Sequence, residues 1–168
     1  MNYLLDANIF IEAKRRYYGM DICPGFWDWL DVAQAGGHVS SITLVYDELT
    51  DGNDELSTWI KEREGTGWFL DVSDLPTQQE FKQILQNVYS ADYSEKAKKD
   101  FFEGADPWLI AKAKVMGATV VTHEVFDGYI KRKVPIPNVC KQFGVPCLDT
   151  FDLLRKQMAS FVLESVDM

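Results

Sequence analysis

Short apolar runs alternate with helix-periodic segments along the whole chain, and no other feature narrows its possible folds as far. The runs occupy residues 3–5, 39–42, 68–72, 118–122 and 145–148. Each is short, rich in branched or aromatic side chains and therefore suited to a pleated strand. Helical segments are predicted over 8–17, 24–35, 54–64, 76–89, 94–102 and 149–161. A further one carries Leu44, Val45, Glu48 and Leu49 on one face, and another runs from Asp106 to Gly117. Pro24 suits a first helical turn and Gly36 with Gly37 a helix end, while Asp106 is expected to cap the helix whose first position Pro107 takes. Strands joined through helices pair in parallel by right-handed crossovers, with helices covering both faces. The expected fold is α/β, a three-layer domain with a parallel sheet of about five strands flanked by helices. No repeat, low-complexity segment or Gly/Ser/Pro-rich linker interrupts it, so residues 1–168 are expected to form one domain.

The apolar runs are far shorter than the roughly 20 residues that span a bilayer, and no membrane association is expected. Residues 1–6 lack the basic start and long apolar run of a secretory signal, which points to the cytoplasm. Cys23, Cys140 and Cys147 have no Cys-x-x-Cys spacing and read as reduced, mostly buried thiols. Seventeen Lys and Arg against 26 Asp and Glu leave a net charge of −9, the wrong sign for gripping nucleic acid through the overall field. That balance is compatible with a nuclease whose clustered carboxylates hold cations, and basic residues are grouped at Lys14-Arg15-Arg16, at Lys96 with Lys98 and Lys99, and at Lys131-Arg132-Lys133.

Ligands of open parallel sheets bind beyond the carboxyl ends of the strands. Four acids fall there: Asp6 ends the first strand, Glu48 follows the second, Asp106 precedes the fourth and Glu124 follows it. Taken singly, each is a solvated loop residue or a cap as readily as a ligand. Asp6 and Asp106, however, emerge from apolar surroundings, Leu4-Leu5 and Ile9-Phe10 on one side and Trp108-Leu109-Ile110 on the other. Carboxylates crowded at the rim of a core repel one another unless cations neutralise them. Oxygen ligands without His or Cys suit Mg2+ or Mn2+ rather than zinc, and such ions support phosphodiester hydrolysis. His38 and His123 are read as non-catalytic, with His123 close enough to contact phosphate.

The residues in this order resemble the PIN domain. Leu4-Leu5-Asp6-Ala7-Asn8 is similar to its opening motif, Ser41-Ile42-Thr43 with Glu48-Leu49 to its second, Ala105-Asp106 with Leu109-Ile110-Ala111 to its third, and Val120-Val121-Thr122 with Glu124 to its fourth. Ala7 stands where the family more often has Ser or Thr, and Glu124 where it usually has Asp; Asp127 is an alternative fourth acid. The chain looks most like PIN-like families of unknown function grouped with VapC toxins. The resemblance implies a metal-dependent endoribonuclease acting on RNA, the toxin of a type II toxin-antitoxin pair, with a cognate antitoxin and a homodimeric state. It implies that Asp6, Glu48, Asp106 and Glu124 hold Mg2+ or Mn2+ and act in catalysis, supported by Asn8 and Thr122. Aromatic anchors for the dimer are expected among Tyr17, Tyr18, Phe26, Trp27 and Trp29.

Two enzyme classes lose ground on the first motif. A haloacid-dehalogenase-type phosphatase needs a second Asp where Asn8 stands, and a dinucleotide-binding turn needs glycines that residues 6–12 lack. The remaining rival is a PIN-like fold without catalysis that serves as a binding module.

Overall fold

In the computed structural model, which describes residues 2–164, five parallel strands form one sheet in the order β3-β2-β1-β4-β5. They are β1 (Tyr3–Leu5), β2 (Val39–Ile42), β3 (Phe69–Leu70), β4 (Thr119–Val121) and β5 (Cys147–Leu148). The central strand β1 is apolar throughout and wholly buried. Its partners are fixed in register, Tyr3 opposite Val39 on one side and Leu5 opposite Val121 on the other. The chain builds outward from β1 through β2 to β3, then returns to lay β4 on the far side of β1. Strand order therefore reverses between β1 and β4, which is where such sheets open a crevice at their carboxyl ends.

The helices are α1 (Ala7–Glu12), α2 (Pro24–Ala35), α3 (Thr43–Leu49), α4 (Glu55–Lys61), α5 (Leu75–Tyr89), α6 (Glu95–Glu103), α7 (Asp106–Met116), α8 (Ile136–Phe143) and α9 (Thr150–Lys156). Helix α7 packs against β1, β2 and β4, and α2 and α3 against β2. Starts marked by short polar residues follow from capping: Asp54, Asp74, Ser94 and Asp149 each accept from a backbone N–H three residues on.

Four expectations need correction. The segment expected as one helix over 8–17 is α1 followed by a π-helical turn, Ala13–Tyr17; the widened turn carries Lys14 to Asp54 (2.6 Å) and Arg16 to Glu12 (3.0 Å). Helix α8 has no counterpart in the sequence reading, because Pro135 and Pro137 look like loop signals. Both fit a helix start, however, and Gly144 closes the helix at φ 67°. The last helix stops at Lys156, not at 161. Met158 takes φ 54°, and Phe161 turns back onto Tyr18 and Phe26 at ring separations of 5.8 and 6.3 Å. Finally, Phe26 and Trp27 are core residues, 1% and 3% exposed, so they are not free to anchor a dimer.

No helix among the described residues is long and apolar enough to cross a membrane. The cysteines are free, with Cys140 buried. The basic groups are largely paired within the chain: Lys131 with Asp92, Lys96 with Asp100, and Lys98 with Glu95.

Candidate active site

Asp6 leaves the end of β1 at the point where strand order reverses. Its backbone N–H donates to Val121 O (3.0 Å), continuing the β1–β4 ladder by one bond, while extended backbone angles let α1 start at Ala7. The carboxylate is buried, 4% exposed, and its Oδ2 accepts from the hydroxyl of Thr122, the residue after β4 (3.1 Å). The same hydroxyl oxygen accepts the backbone N–H of Glu124 (3.1 Å). Thr122 thus ties the first acid to the loop that carries the fourth.

Ser41 positions this corner from the other side. Its hydroxyl, fully buried on β2, donates to Leu5 O at 2.6 Å, satisfying the last carbonyl of β1 just before Asp6. Sequence reasoning passed over this residue as a strand position in a motif. The available signal was the pair Ser40-Ser41 set between Val39 and Ile42 in a run otherwise fit for a core.

Glu48 reaches from α3 to the start of α7, where its Oε1 accepts the backbone N–H of Ala105 (3.2 Å). This explains a further correction. Asp106 is the first residue of α7, not its cap; the cap position is Ala105, with no side-chain bond of its own. A distant glutamate satisfies that helix end and leaves the Asp106 carboxyl free for another use. Glu124 occupies the N-terminus of α8 in the same manner: its Oε1 accepts from Ile136 N (3.1 Å) and lies 3.4 Å from Lys133 Nζ.

Charge binds the four together. Burial pushes the Asp6 carboxyl up to about 6, with the charges of Glu124 and Glu48 adding to it and the Thr122 hydroxyl and Ala7 N–H opposing it. Burial pushes Asp106 further, to about 8, helped by Asp6, Glu124 and Glu48 and opposed by Lys133. Burial also raises Glu48, against the pull of the Ala105 N–H. Asp127, the alternative fourth acid, accepts the backbone N–H of Tyr129 on its Oδ1 within its own turn (2.9 Å). Asn8 is exposed and lines a neighbouring cavity with Glu12, Tyr17, His123 and Glu124.

The structure therefore brings Asp6, Glu48, Asp106 and Glu124 within electrostatic reach. Yet among the described residues no three His, Cys, Asp or Glu side chains are gathered closely enough to hold a metal ion. Glu48 and Glu124 are turned onto the backbone N–H groups of Ala105 and Ile136 instead. The chemistry of the donor set does fit a hard divalent cation: it is all carboxylate, partly desolvated, and its charges oppose one another.

A model of the family described as Domain of unknown function (DUF4411) matches residues 3–161. No curated protein matches the sequence. Among solved structures, a chain of VapBC2 from Rickettsia felis, in a crystal structure bound to a DNA fragment from their promoter, superposes with a TM-score of 0.54. The identity is 12%, over 89% of this chain and 98% of that one. At that identity the likeness is one of fold, a PIN-like α/β domain with a five-stranded parallel sheet between helices.

Proposed function

The chain belongs to the DUF4411 family, and we propose that it is a metal-dependent endoribonuclease, the toxin of a type II toxin-antitoxin pair. The observation that carries the reading is the pair of acids at the reversal of strand order, buried Asp6 and half-buried Asp106, each raised first by loss of solvent and then by the other acids around it. A fold keeps such mutual repulsion where function needs it more readily than where stability does. In this reading Asp6, Glu48, Asp106 and Glu124 would hold Mg2+ or Mn2+. The ion supplies charge neutralisation for the scissile phosphate and acidifies water.

The chain's own residues set the terms. Thr122 holds Asp6 and the Glu124 backbone in fixed relation. Ser41 fixes the end of β1, and with it the position of Asp6. Near neutral pH the raised Asp106 retains its proton, so cation affinity is coupled to loss of that proton and strengthens as pH rises through about 8. Asn8 lines a cavity with Glu124, and its amide would meet a phosphate oxygen or a water arriving there. The likeness to VapBC2 supports a cognate antitoxin as partner, and homodimerisation belongs to the same proposal.

The rival reading, a PIN-like module without catalysis, is favoured by one observation: no three acidic side chains converge among the described residues. One experiment separates the two. Purified protein is incubated with structured and unstructured RNAs in magnesium or manganese, with and without chelator, beside Asp6→Asn. Metal-dependent cleavage lost in Asp6→Asn supports the nuclease. Cleavage that survives chelation, or that persists undiminished in Asp6→Asn, removes it.

A further inference from the structure

Beside the acids lies a cavity of about 400 Å³, lined by Asn8, Glu12, Tyr17, His123 and Glu124. Ion binding alone leaves it unexplained, because two rings and an amide share its walls with the carboxylates of Glu12 and Glu124. Tyr17 is delivered there by the π-helical turn Ala13–Tyr17; such turns are rare and recur at functional sites. Its ring is 49% exposed, too open for a core aromatic, yet held in place. Phe151 meets it edge-on at 5.2 Å and 77°, and His123 lies 6.3 Å away at 51°. His123 in turn rests on Phe151 at 6.1 Å, with its Nε2 3.0 Å from the hydroxyl of buried Thr150. Two rings, Phe151 and His123, and the hydroxyl of Thr150 thus brace the Tyr17 ring beside the acids.

The polar wall is equally specific. Glu12 presents a carboxylate, paired with Arg16 at 3.0 Å, one turn below Tyr17, and Asn8 offers an amide on the same helix. Arg16 itself is 68% exposed, and Arg15 beside it is also exposed, so cations flank an otherwise acidic opening.

We propose that this cavity receives one unpaired nucleobase of the RNA, adjacent to the phosphate at the acids, stacked on Tyr17 with its edge toward Glu12 and Asn8. Guanine is the preferred base. A carboxylate accepts from two neighbouring N–H groups, which guanine presents side by side at N1 and N2, whereas uracil presents one N–H between two carbonyls that a carboxylate repels. The inference rests on the ribonuclease reading and assigns that site a recognition element. Tyr17 and Glu12 are binding residues in it, and His123, acting through Tyr17, is a positioning residue.

The test uses full-length Asp106→Asn protein as parent, with magnesium present, and fluorescence anisotropy of labelled ten-nucleotide oligouridylates with or without one central guanosine. Tyr17→Ala, Tyr17→Phe and Glu12→Gln are made in that parent, and their melting curves confirm folding. The parent should bind the guanosine oligomer more tightly than the uridine one. Base stacking on an aromatic is worth about 1–3 kcal/mol, so Tyr17→Ala should weaken binding roughly 10-fold, while Tyr17→Phe, which keeps the ring, stays within about twofold. Glu12→Gln should bring the two oligomers toward equal affinity. RNA cleavage by wild type is measured alongside. Equal affinity of parent and Tyr17→Ala, including no binding by either, overturns the subsite while wild-type cleavage leaves the nuclease standing. Loss of both binding and wild-type cleavage removes both readings.

Discussion

Replacing Asp106 by Asn should make the metal-free protein more stable above neutral pH, although the change falls in the crevice to which the family resemblance assigns catalysis. The folded carboxyl titrates near 8, against an unfolded value of 3.8. The folded state therefore keeps a proton that the unfolded state has already released. The favourable contribution is complete below about pH 4 and is lost as pH rises through about 8. Four units at about 1.4 kcal/mol each set a ceiling of roughly 5–6 kcal/mol. Part of that shift is repulsion shared with Asp6, and Asn forgoes about 0.3–1 kcal/mol of interaction with the start of α7 while burying an amide. A net gain of about 2 kcal/mol near pH 8 is expected, or roughly 4–8 °C in melting midpoint for a chain of this size. The gain should shrink toward zero near pH 4. Melting curves of both proteins across that range in chelator, repeated with millimolar magnesium, read the effect directly. Magnesium should raise the wild type more than the variant. Parallel stability curves, or a variant less stable near pH 8, would refute the idea that ionising the half-buried Asp106 carboxyl works against its surroundings.

Two further substitutions examine the scaffold of the site. Ser41→Ala leaves the buried Leu5 carbonyl without its partner and should cost about 1–3 kcal/mol in urea unfolding, with the slope on denaturant unchanged. Thr122→Val removes a bond that lowers Asp6, so the Asp6 carboxyl, followed by NMR in labelled protein, should titrate about one unit or more above its wild-type position near 6. An unchanged titration would show that Thr122 holds the loop rather than the charge.

The sheet was legible because its strands announce themselves: β1 is Tyr3-Leu4-Leu5 with no polar residue, as a strand buried on both faces requires. Its end was legible for the same reason, since a carboxylate immediately after such a run has nowhere to go but the rim. What escaped depended on contacts distant in sequence. Asp106 looked like a cap because an Asp-Pro pair is locally a helix start. That Glu48 takes the N–H of Ala105 from 57 positions away is invisible to any local rule. Helix α8 was hidden by its prolines, and Phe26 and Trp27 looked like interface anchors because nothing in a helical pattern shows Phe161 folding back over Phe26. The π-helical turn is similar: residues 13–17 carry ordinary helix formers, and the extra residue in the turn shows only once Lys14 has found Asp54.

The sheet ends on both sides in strands of two residues, Phe69–Leu70 and Cys147–Leu148. Edges that brief expose too few main-chain donors and acceptors to template an incoming strand. The protein is thereby guarded against pairing edge to edge with other copies at high concentration. The same brevity limits its company: an incoming segment gains little hold by adding a strand at either edge of the sheet. Recognition of a segment then falls to side-chain shape and charge, where single substitutions can retune it, and not to main-chain pairing, which is blind to sequence.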